Sequence, residues 1–258
     1  MVEIVVNGEK YQAKEDEAVF QVLRRNGIDI PYLCYHEALP PYGSCRLCLV
    51  EVIRGGKTGI TTSCTLPVTE DLEIMTETPD VVKVRKVLLE LYLAEAPASE
   101  RIQTLAKKYG VTSSRFAKID RTAKGDRCVL CGLCVRVCSE ILGVGAINYA
   151  GRGTKTSINT PWYEISSACI GCGACAYVCP ADAIDIADKD DERVMETWHK
   201  TVIKLKECVD SQKYFAPEKL VEHVYRTRPE LPIEMKDLCP DSRMKKKAAE
   251  FMLKGRRP

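Results

Sequence analysis

Apolar and polar residues alternate at the start of the chain, in a pattern that predicts β-strands. The opening VEIVVNGEKYQA has β-forming residues on both sides of Asn7 and Gly8, a strong signal for a two-residue hairpin turn. AVFQVLRRNGIDI then has apolar residues at helical spacing, with Gly27 placed to end the helix. RLCLVEVI and GITTSC predict two more strands, joined by the glycine-rich turn RGGKTG. This order of elements predicts a small ferredoxin-type β-grasp domain at residues 1–80.

The pattern becomes helical after residue 80. In VVKVRKVLLELYLAEA the apolar residues at 81, 84, 87, 88 and 91 share one helix face, and Pro97 ends or bends this helix. SERIQTLAKKYG predicts a second short helix that ends at Gly110. We therefore expect residues 81–125 to form a short helical linker domain.

Residues 126–187 contain an internal repeat of two cysteine-rich runs, RCVLCGLCVRVCSE and ACIGCGACAYVCPA. Each run is followed by a short strand-like piece, AINYA in the first case and AIDIA in the second. Residues 188–258 look helical and polar and end in a tail rich in lysine and arginine. The predicted class is α+β: a β-grasp domain, a helical linker, a repeat domain and a helical C-terminal extension.

Fourteen cysteines are many for a chain of 258 residues, and their use depends on the compartment. The N-terminus has no basic region followed by an apolar one, and no apolar run reaches the length of about 18 residues that a membrane span needs. We therefore expect a cytoplasmic protein that uses its thiols for metal rather than for disulfides. The formal net charge of +2 gives no indication of a nucleic-acid partner.

Both runs have the spacing C-x2-C-x2-C-x3-C, which is typical of [4Fe–4S] ferredoxins. Three close thiolates reach three corners of a cuboidal cluster, and in two-cluster ferredoxins the fourth cysteine of each run ligates the other cluster. Structural zinc is the alternative, although zinc prefers paired knuckles to a triplet. The crossed assignment gives a first site, Cys128, Cys131, Cys134 and Cys179, and a second site, Cys138, Cys169, Cys172 and Cys175.

The N-terminal cysteines form a third set, with three ligands in one loop and the fourth on a distant strand. Such an arrangement suits a [2Fe–2S] cluster, whose two irons each take two thiolates, and zinc remains an alternative for any four cysteines. His36 is close in sequence but is not needed as a ligand, so we expect it at the surface or beside the ligands. The predicted [2Fe–2S] ligands are Cys34, Cys45, Cys48 and Cys64.

These cysteine motifs specifically resemble those of a known protein family. The [2Fe–2S] region of one family of iron–sulfur subunits is similar to PYLCYHEALPPYGSCRLCLVEV and TTSCTLPV. The two-cluster domain of the same family is similar to CVLCGLCVRVC and CIGCGACAYVCPADAI. The family comprises the large iron–sulfur subunit of complex I, the diaphorase subunits of NAD-reducing hydrogenases, and NAD-linked formate dehydrogenases. The resemblance covers about residues 1–187.

The resemblance implies an electron-transfer subunit of a multi-subunit NAD(P)-linked oxidoreductase. It implies two partners, a flavin/NAD(H)-binding subunit and a catalytic subunit of hydrogenase or formate dehydrogenase type. We favour a hydrogenase, with ferredoxin as a further partner if the complex bifurcates electrons. A free-standing, polyferredoxin-like electron carrier and a zinc-stabilised scaffold are the competing hypotheses.

Most members of that family hold a further [4Fe–4S] cluster between the two regions, with one histidine and three cysteines. Here LLELYLAEAPASERIQTLAKKYGVTSSRF occupies that place and contains neither residue type. We therefore expect three clusters and no fourth. Family members often continue into a catalytic domain, whereas this chain ends at residue 258, so we expect catalysis on another chain.

The remaining features have simpler interpretations. GGKTG lacks the first glycine of a phosphate-binding loop and is predicted to be a hairpin turn, and no dinucleotide-binding motif is present. His199 and His223 lie in polar stretches that we expect to be helical and solvent-facing. Cys208 and Cys239 are predicted to be buried free thiols, with a bridge or a partner's metal as alternatives. The basic tail is expected to dock on an acidic partner surface.

Overall fold

A computed structural model describes residues 1–117 and 125–254. The predicted helical linker at 81–125 and the predicted basic tail therefore lie partly outside the described residues. The chain forms two compact units, each built from three segments. The first contains Met1–Val137, Tyr149–Ile158 and Val178–Ala183, and the second contains Cys138–Asn148, Asn159–Tyr177 and the chain from Ile184 onward.

The first unit begins with a mixed five-stranded sheet in the order β2-β1-β5-β3-β4. The hairpin predicted at Asn7 and Gly8 is confirmed, since both residues have positive φ, 54° and 86°, between two paired strands. β1 is parallel to β5 and the other neighbours are antiparallel. The strands are β1 (Val2–Val6), β2 (Glu9–Ala13), β3 (Leu49–Arg54), β4 (Gly59–Thr62) and β5 (Glu73–Met75).

Helix α1 (Val19–Arg25) covers one face of this sheet. Its apolar face includes Phe20, which is fully buried and packs edge-on against the rings of Tyr32 and Tyr35. The sheet contributes alternate residues of its strands, such as Ile4 and Val6, to the same core. The burial pattern confirms the predicted arrangement of hairpin, helix and strands.

Two helices follow the sheet, as predicted: α2 (Pro79–Glu95) and α3 (Glu100–Lys108). The Thr78 hydroxyl caps α2 by accepting from the Val81 amide, and the Ser99 hydroxyl caps α3 by accepting from the Ile102 amide. Gly110 follows α3 with φ of 70°, which is the left-handed conformation expected after a helix end.

Short elements surround the cysteine runs. Helices α4 (Leu133–Arg136) and α5 (Ala174–Tyr177) each contain the third cysteine of a run, and a π-helical turn, Val137–Ile141, follows α4. Strands β6 (Asn148–Ala150) and β7 (Ser157–Asn159) form a two-stranded sheet. Short 3₁₀ turns occur at Gly153–Lys155, Pro161–Tyr163 and Ile233–Met235.

The second unit contains an antiparallel four-stranded sheet in the order β11-β10-β9-β8, followed by two helices. The strand expected at AIDIA is confirmed in part, since β8 begins at Ile186, the fourth residue of that stretch. The strands are β8 (Ile186–Lys189), β9 (Glu192–Met195), β10 (Thr201–Glu207) and β11 (Tyr214–Pro217). The helices are α6 (Glu218–Thr227) and α7 (Pro240–Lys254).

The prediction that the whole of 188–258 is helical is wrong for residues 188–217. TVIKLKE in β10 alternates buried and exposed residues with a period of two, which is the pattern of a half-buried strand. His199 accordingly lies in a turn before β10, exposed, with φ of 53°, and not on a helix. His223 does lie on a helix, α6, where it is half-buried.

Candidate metal centres

The structure places the four N-terminal cysteines together in the first unit. All four are buried, each with no more than 4% of its surface exposed. The Cys45 amide donates to Cys34 Sγ at 3.3 Å, and the Ser63 amide and hydroxyl both donate to the Cys48 carbonyl oxygen at 2.8 Å. The expected strand position of Cys64 is wrong, because β4 ends at Thr62 and Cys64 lies in the turn that follows. The two bonds from Ser63 fix this turn beside the loop that carries Cys48.

The thiols of this set interact in two pairs, Cys34 with Cys45 and Cys48 with Cys64. The hydrogen bond within each pair raises the pKa of one thiol, Cys34 or Cys64, and burial raises it further. The same bonds lower the pKa of the partners, to about 6 for Cys45. Iron is bound by thiolates, so four buried sulfurs that interact in pairs, with an amide donating to Cys34, form a suitable donor set.

The structure also places Cys128, Cys131, Cys134 and Cys179 in the first unit. The Leu130 amide donates to Cys128 Sγ at 3.4 Å and the Ala183 amide donates to Cys179 Sγ at 3.3 Å. Burial raises the pKa of Cys131 to about 12, with smaller contributions from the Cys179 and Cys128 thiols. Cys179 thus lies within electrostatic range of cysteines from the other run.

Gly132 shapes the first of the two loops. It adopts φ of 79°, and a Cβ at this position would collide with the Tyr149 hydroxyl. The loop therefore requires glycine for both its conformation and the close approach of Tyr149.

The other four cysteines lie in the second unit, where they line one small cavity together with Trp198. The Ala146 amide donates to Cys138 Sγ at 3.3 Å. Burial and the neighbouring Cys172 and Cys138 thiols raise the pKa of Cys169. The cavity therefore collects the predicted second set, Cys138, Cys169, Cys172 and Cys175.

Trp198 is a site residue that the sequence analysis missed. Its indole is buried, and Nε1 has no hydrogen-bond acceptor in the described chain. Burial raises the pKa of the neighbouring Cys175 thiol to about 12, and the indole N–H opposes that rise. A buried donor without an acceptor is costly, so this N–H fits a cavity that holds a sulfur-rich anion.

Side chains of the four-stranded sheet hold the loop between Cys169 and Cys172. Arg193 on β9 donates to the Gly171 carbonyl oxygen at 2.8 Å and makes two hydrogen bonds to the Asp188 carboxylate. Gly171 has φ of 69°, and a Cβ there would approach Ile203 Cδ1 to 2.9 Å. The strands 186–217 thus fix the loop between Cys169 and Cys172, a role that the sequence patterns did not indicate.

We expect the α2–α3 segment to hold no cluster. Between Cys64 and Cys128 the sequence has neither cysteine nor histidine. The buried side chains of the two helices are aliphatic apart from Arg85. Tyr92 on α2 donates to the Cys45 carbonyl oxygen at 3.1 Å, so α2 contacts the loop of the N-terminal set.

The remaining predicted residues lie apart from these sets. Cys208 and Cys239 are buried in a small core with Met235 and Leu238, as free thiols, and the Cys239 amide donates to Cys208 Sγ at 3.2 Å. His36 accepts a hydrogen bond from the Ala38 amide through Nδ1 at 3.2 Å and is half-buried. In the part of the chain that the structure describes, no three His, Cys, Asp or Glu side chains are arranged to hold a single metal ion.

Family models match both cysteine regions. A 2Fe-2S iron-sulfur cluster binding domain matches residues 1–79, and 4Fe-4S dicluster domains match residues 124–183 and 168–213. Among curated proteins, the NADH-ubiquinone oxidoreductase 75 kDa subunit of Reclinomonas americana is 32% identical over 71% of this chain and 29% of its own length. NADP-reducing hydrogenase subunit HndD of Solidesulfovibrio fructosivorans is 30% identical over 71% of this chain and 36% of its own length. This chain is an iron–sulfur protein homologous to those subunits.

A solved structure agrees with this relationship. A chain in the crystal structure of NAD+-reducing [NiFe]-hydrogenase in the H2-reduced state is 29% identical to this iron–sulfur protein, with a TM-score of 0.54. The match covers 62% of this chain and 75% of that chain. The predicted resemblance and the ferredoxin-like fold class with mixed helices and strands are confirmed.

The iron–sulfur protein spans about a third of the length of the curated relatives that it matches. In its described residues no helix is both long and apolar enough to cross a membrane.

Proposed function

We propose that this chain is an electron-transfer subunit of a multi-subunit NAD(P)-linked oxidoreductase. It would carry one [2Fe–2S] cluster on Cys34, Cys45, Cys48 and Cys64 and two [4Fe–4S] clusters on the two crossed sets. The clusters, when bound, supply one-electron chemistry. The observation that carries the proposal is that the four cysteines of each predicted set lie within one compact unit, two sets in the first unit and one set in the second.

The surroundings of the thiols support cluster binding. Backbone amides donate to sulfur in all three sets, at Cys34, Cys128, Cys138 and Cys179. Amide hydrogen bonds to sulfur and low solvent exposure are the features by which proteins set cluster potentials. The described chain therefore has the means to hold clusters, exclude water and adjust their potentials without an acid, base or nucleophile.

The [2Fe–2S] set and the first [4Fe–4S] set are close within the first unit. Arg136, on the helix of the first run, donates to the Pro40 carbonyl oxygen at 2.9 Å and stacks on the Tyr42 ring at 4.9 Å. Pro40 and Tyr42 belong to the loop between Cys34 and Cys45. Direct packing of the two loops is consistent with exchange of electrons between these sites in the absence of an intervening cluster.

A hydrogenase is the favoured complex. Two relatives support it: one is named an NADP-reducing hydrogenase subunit, and the solved structure is an NAD+-reducing [NiFe]-hydrogenase. The expected partners are a flavin/NAD(H)-binding subunit and a hydrogenase catalytic subunit, with ferredoxin if the complex bifurcates electrons. The same role in an NAD-linked formate dehydrogenase is the second candidate. We propose a cytoplasmic location.

Anaerobic purification of the native complex from its source tests this proposal. Expected companions are a flavoprotein and a subunit that contains nickel or an iron-only hydrogenase centre, and molybdenum would instead indicate the formate dehydrogenase. A monomeric protein that copurifies with no partner would favour the free electron carrier. A protein that contains zinc and no iron would overturn the proposal altogether.

A further inference from the structure

One charged side chain lies fully inside the first unit. Arg85, on the buried face of α2, has no exposed surface. In the described chain it is the only charged residue among those that are buried. Burial of a charge is costly unless the charge is paired and hydrogen-bonded, so its contacts indicate its role.

The Arg85 guanidinium binds the backbone on both sides of a predicted cluster ligand. Its Nε donates to the Leu47 carbonyl oxygen at 3.2 Å, and Nη2 donates to the Leu49 carbonyl oxygen at 2.5 Å. Cys48 lies between these two residues. The planar, rigid guanidinium therefore fixes the peptide groups that carry Cys48 and brings a full positive charge next to them.

The counter-ion of Arg85 lies on the opposite side. Nη1 donates to the Glu77 carboxylate and to the Tyr109 hydroxyl, the latter at 3.1 Å. The Glu77 side chain is 51% exposed, whereas that of Arg85 is fully buried. Water screens the carboxylate more than the guanidinium, so the positive charge is only partly cancelled where it faces Cys48.

We propose that Arg85 raises the reduction potential of the N-terminal [2Fe–2S] cluster, and this inference rests on the proposed function. Reduction adds one negative charge to a buried site, and a nearby buried cation stabilises that charge more than it stabilises the oxidised site. Arg85 acts through the Cys48 loop and through its field, since the structure gives it no contact with a sulfur atom.

Potentiometric titration of the isolated whole chain, followed by the EPR signal of the reduced [2Fe–2S] cluster, tests the inference. In Arg85→Met the ratio of reduced to oxidised cluster at a fixed potential should fall about tenfold, a shift of about 59 mV to more negative values for one electron. Arg85→Lys keeps a cation and should restore most of the shift. Lys86→Met removes the same charge from the next, exposed position of α2 and should leave the potential unchanged.

Glu77→Gln provides the opposite test with little risk to folding, because Glu77 is half exposed. Removal of the counter-ion should shift the potential to more positive values. Should Arg85→Met fail to assemble its cluster, the sign of the Glu77→Gln shift decides the inference. An unchanged potential in either assembled variant would overturn it, whereas a wild-type chain without any [2Fe–2S] signal would overturn the proposed function instead.

Discussion

Cys138 lines the same cavity as Cys172, although the two cysteines belong to different motifs of the sequence. The π-helical turn Val137–Ile141 follows α4 and includes Cys138, and the segments around Cys138 and Cys172 belong to the second unit. The run that contains Cys138 has three earlier cysteines, and these belong to the first unit. Each run therefore contributes sulfur to both units, which is the arrangement that crossed ligation requires.

Replacement of Cys138 by serine should remove the second [4Fe–4S] cluster first. The variant removes one of four thiols from the cavity but leaves Cys128, Cys131 and Cys134 intact. We expect a loss of about four irons per chain and of one of two [4Fe–4S] EPR signals. Cys208→Ser, which changes a buried cysteine outside the three sets, should keep its full iron content. Loss of the first cluster in Cys138→Ser would refute the crossed assignment.

Iron and acid-labile sulfide in anaerobically purified wild-type protein should agree with three clusters. One two-iron and two four-iron clusters contain about ten irons and about ten sulfides. About four more irons would mean that the α2–α3 segment, or a ligand from elsewhere, holds a further cluster. Zinc in place of iron would support the structural-zinc alternative for any of the sets.

Trp198→Phe should lower the potential of the second [4Fe–4S] cluster. The substitution keeps an aromatic ring in the buried position but removes the N–H that faces Cys175. A hydrogen bond from this N–H to a sulfur of the bound cluster would be worth roughly 1 kcal/mol, which corresponds to about 40 mV for one electron. Trp162, a residue that is 87% exposed, provides the matched control, and Trp162→Phe should leave the potential unchanged. Equal potentials in wild type and Trp198→Phe would exclude this hydrogen bond.

Gly171→Ala should weaken the second unit around its cluster loop. The new methyl group would meet Ile203 and Pro217 and would stand at a positive φ. Gly145→Ala is the control, because Gly145 also has positive φ but its Cβ would point into open space. The left-handed strain alone costs roughly 1–2 kcal/mol, and overpacking adds about 1–3 kcal/mol. Anaerobic iron release to a chelator during heating should begin at a lower temperature in Gly171→Ala than in Gly145→Ala.

The elements of the first unit were predictable because their signals are local. Asn7 and Gly8 form a turn by their own conformational preferences, and Gly27 and Gly110 mark helix ends. The strands of residues 188–217 were not predicted, because they are short and rich in charged residues. The composition of this segment therefore resembles that of a polar helix. Their pairing partners, such as Val194 opposite Val202, supply the stabilisation that composition does not reveal.

The cysteine sets were predictable from spacing, since a cluster imposes fixed distances on its ligands. Arg85 and Trp198 could not be predicted as site residues, because each acts on a cysteine that is distant along the sequence. Arg85 was indistinguishable from the other basic residues of VVKVRKVLLELYLAEA until α2 packed against β3 and the Cys48 loop. Long-range contacts of this kind have no periodic signature.

The distribution of thiols between the two units has a consequence for biosynthesis. A ribosome has produced all four sulfurs of the [2Fe–2S] set once it has passed Cys64. With crossed ligation, the first [4Fe–4S] set is incomplete until Cys179 has emerged, and the second until Cys175 has emerged. The two [4Fe–4S] centres would therefore mature together and late in synthesis, when the nascent chain already has a complete N-terminal centre.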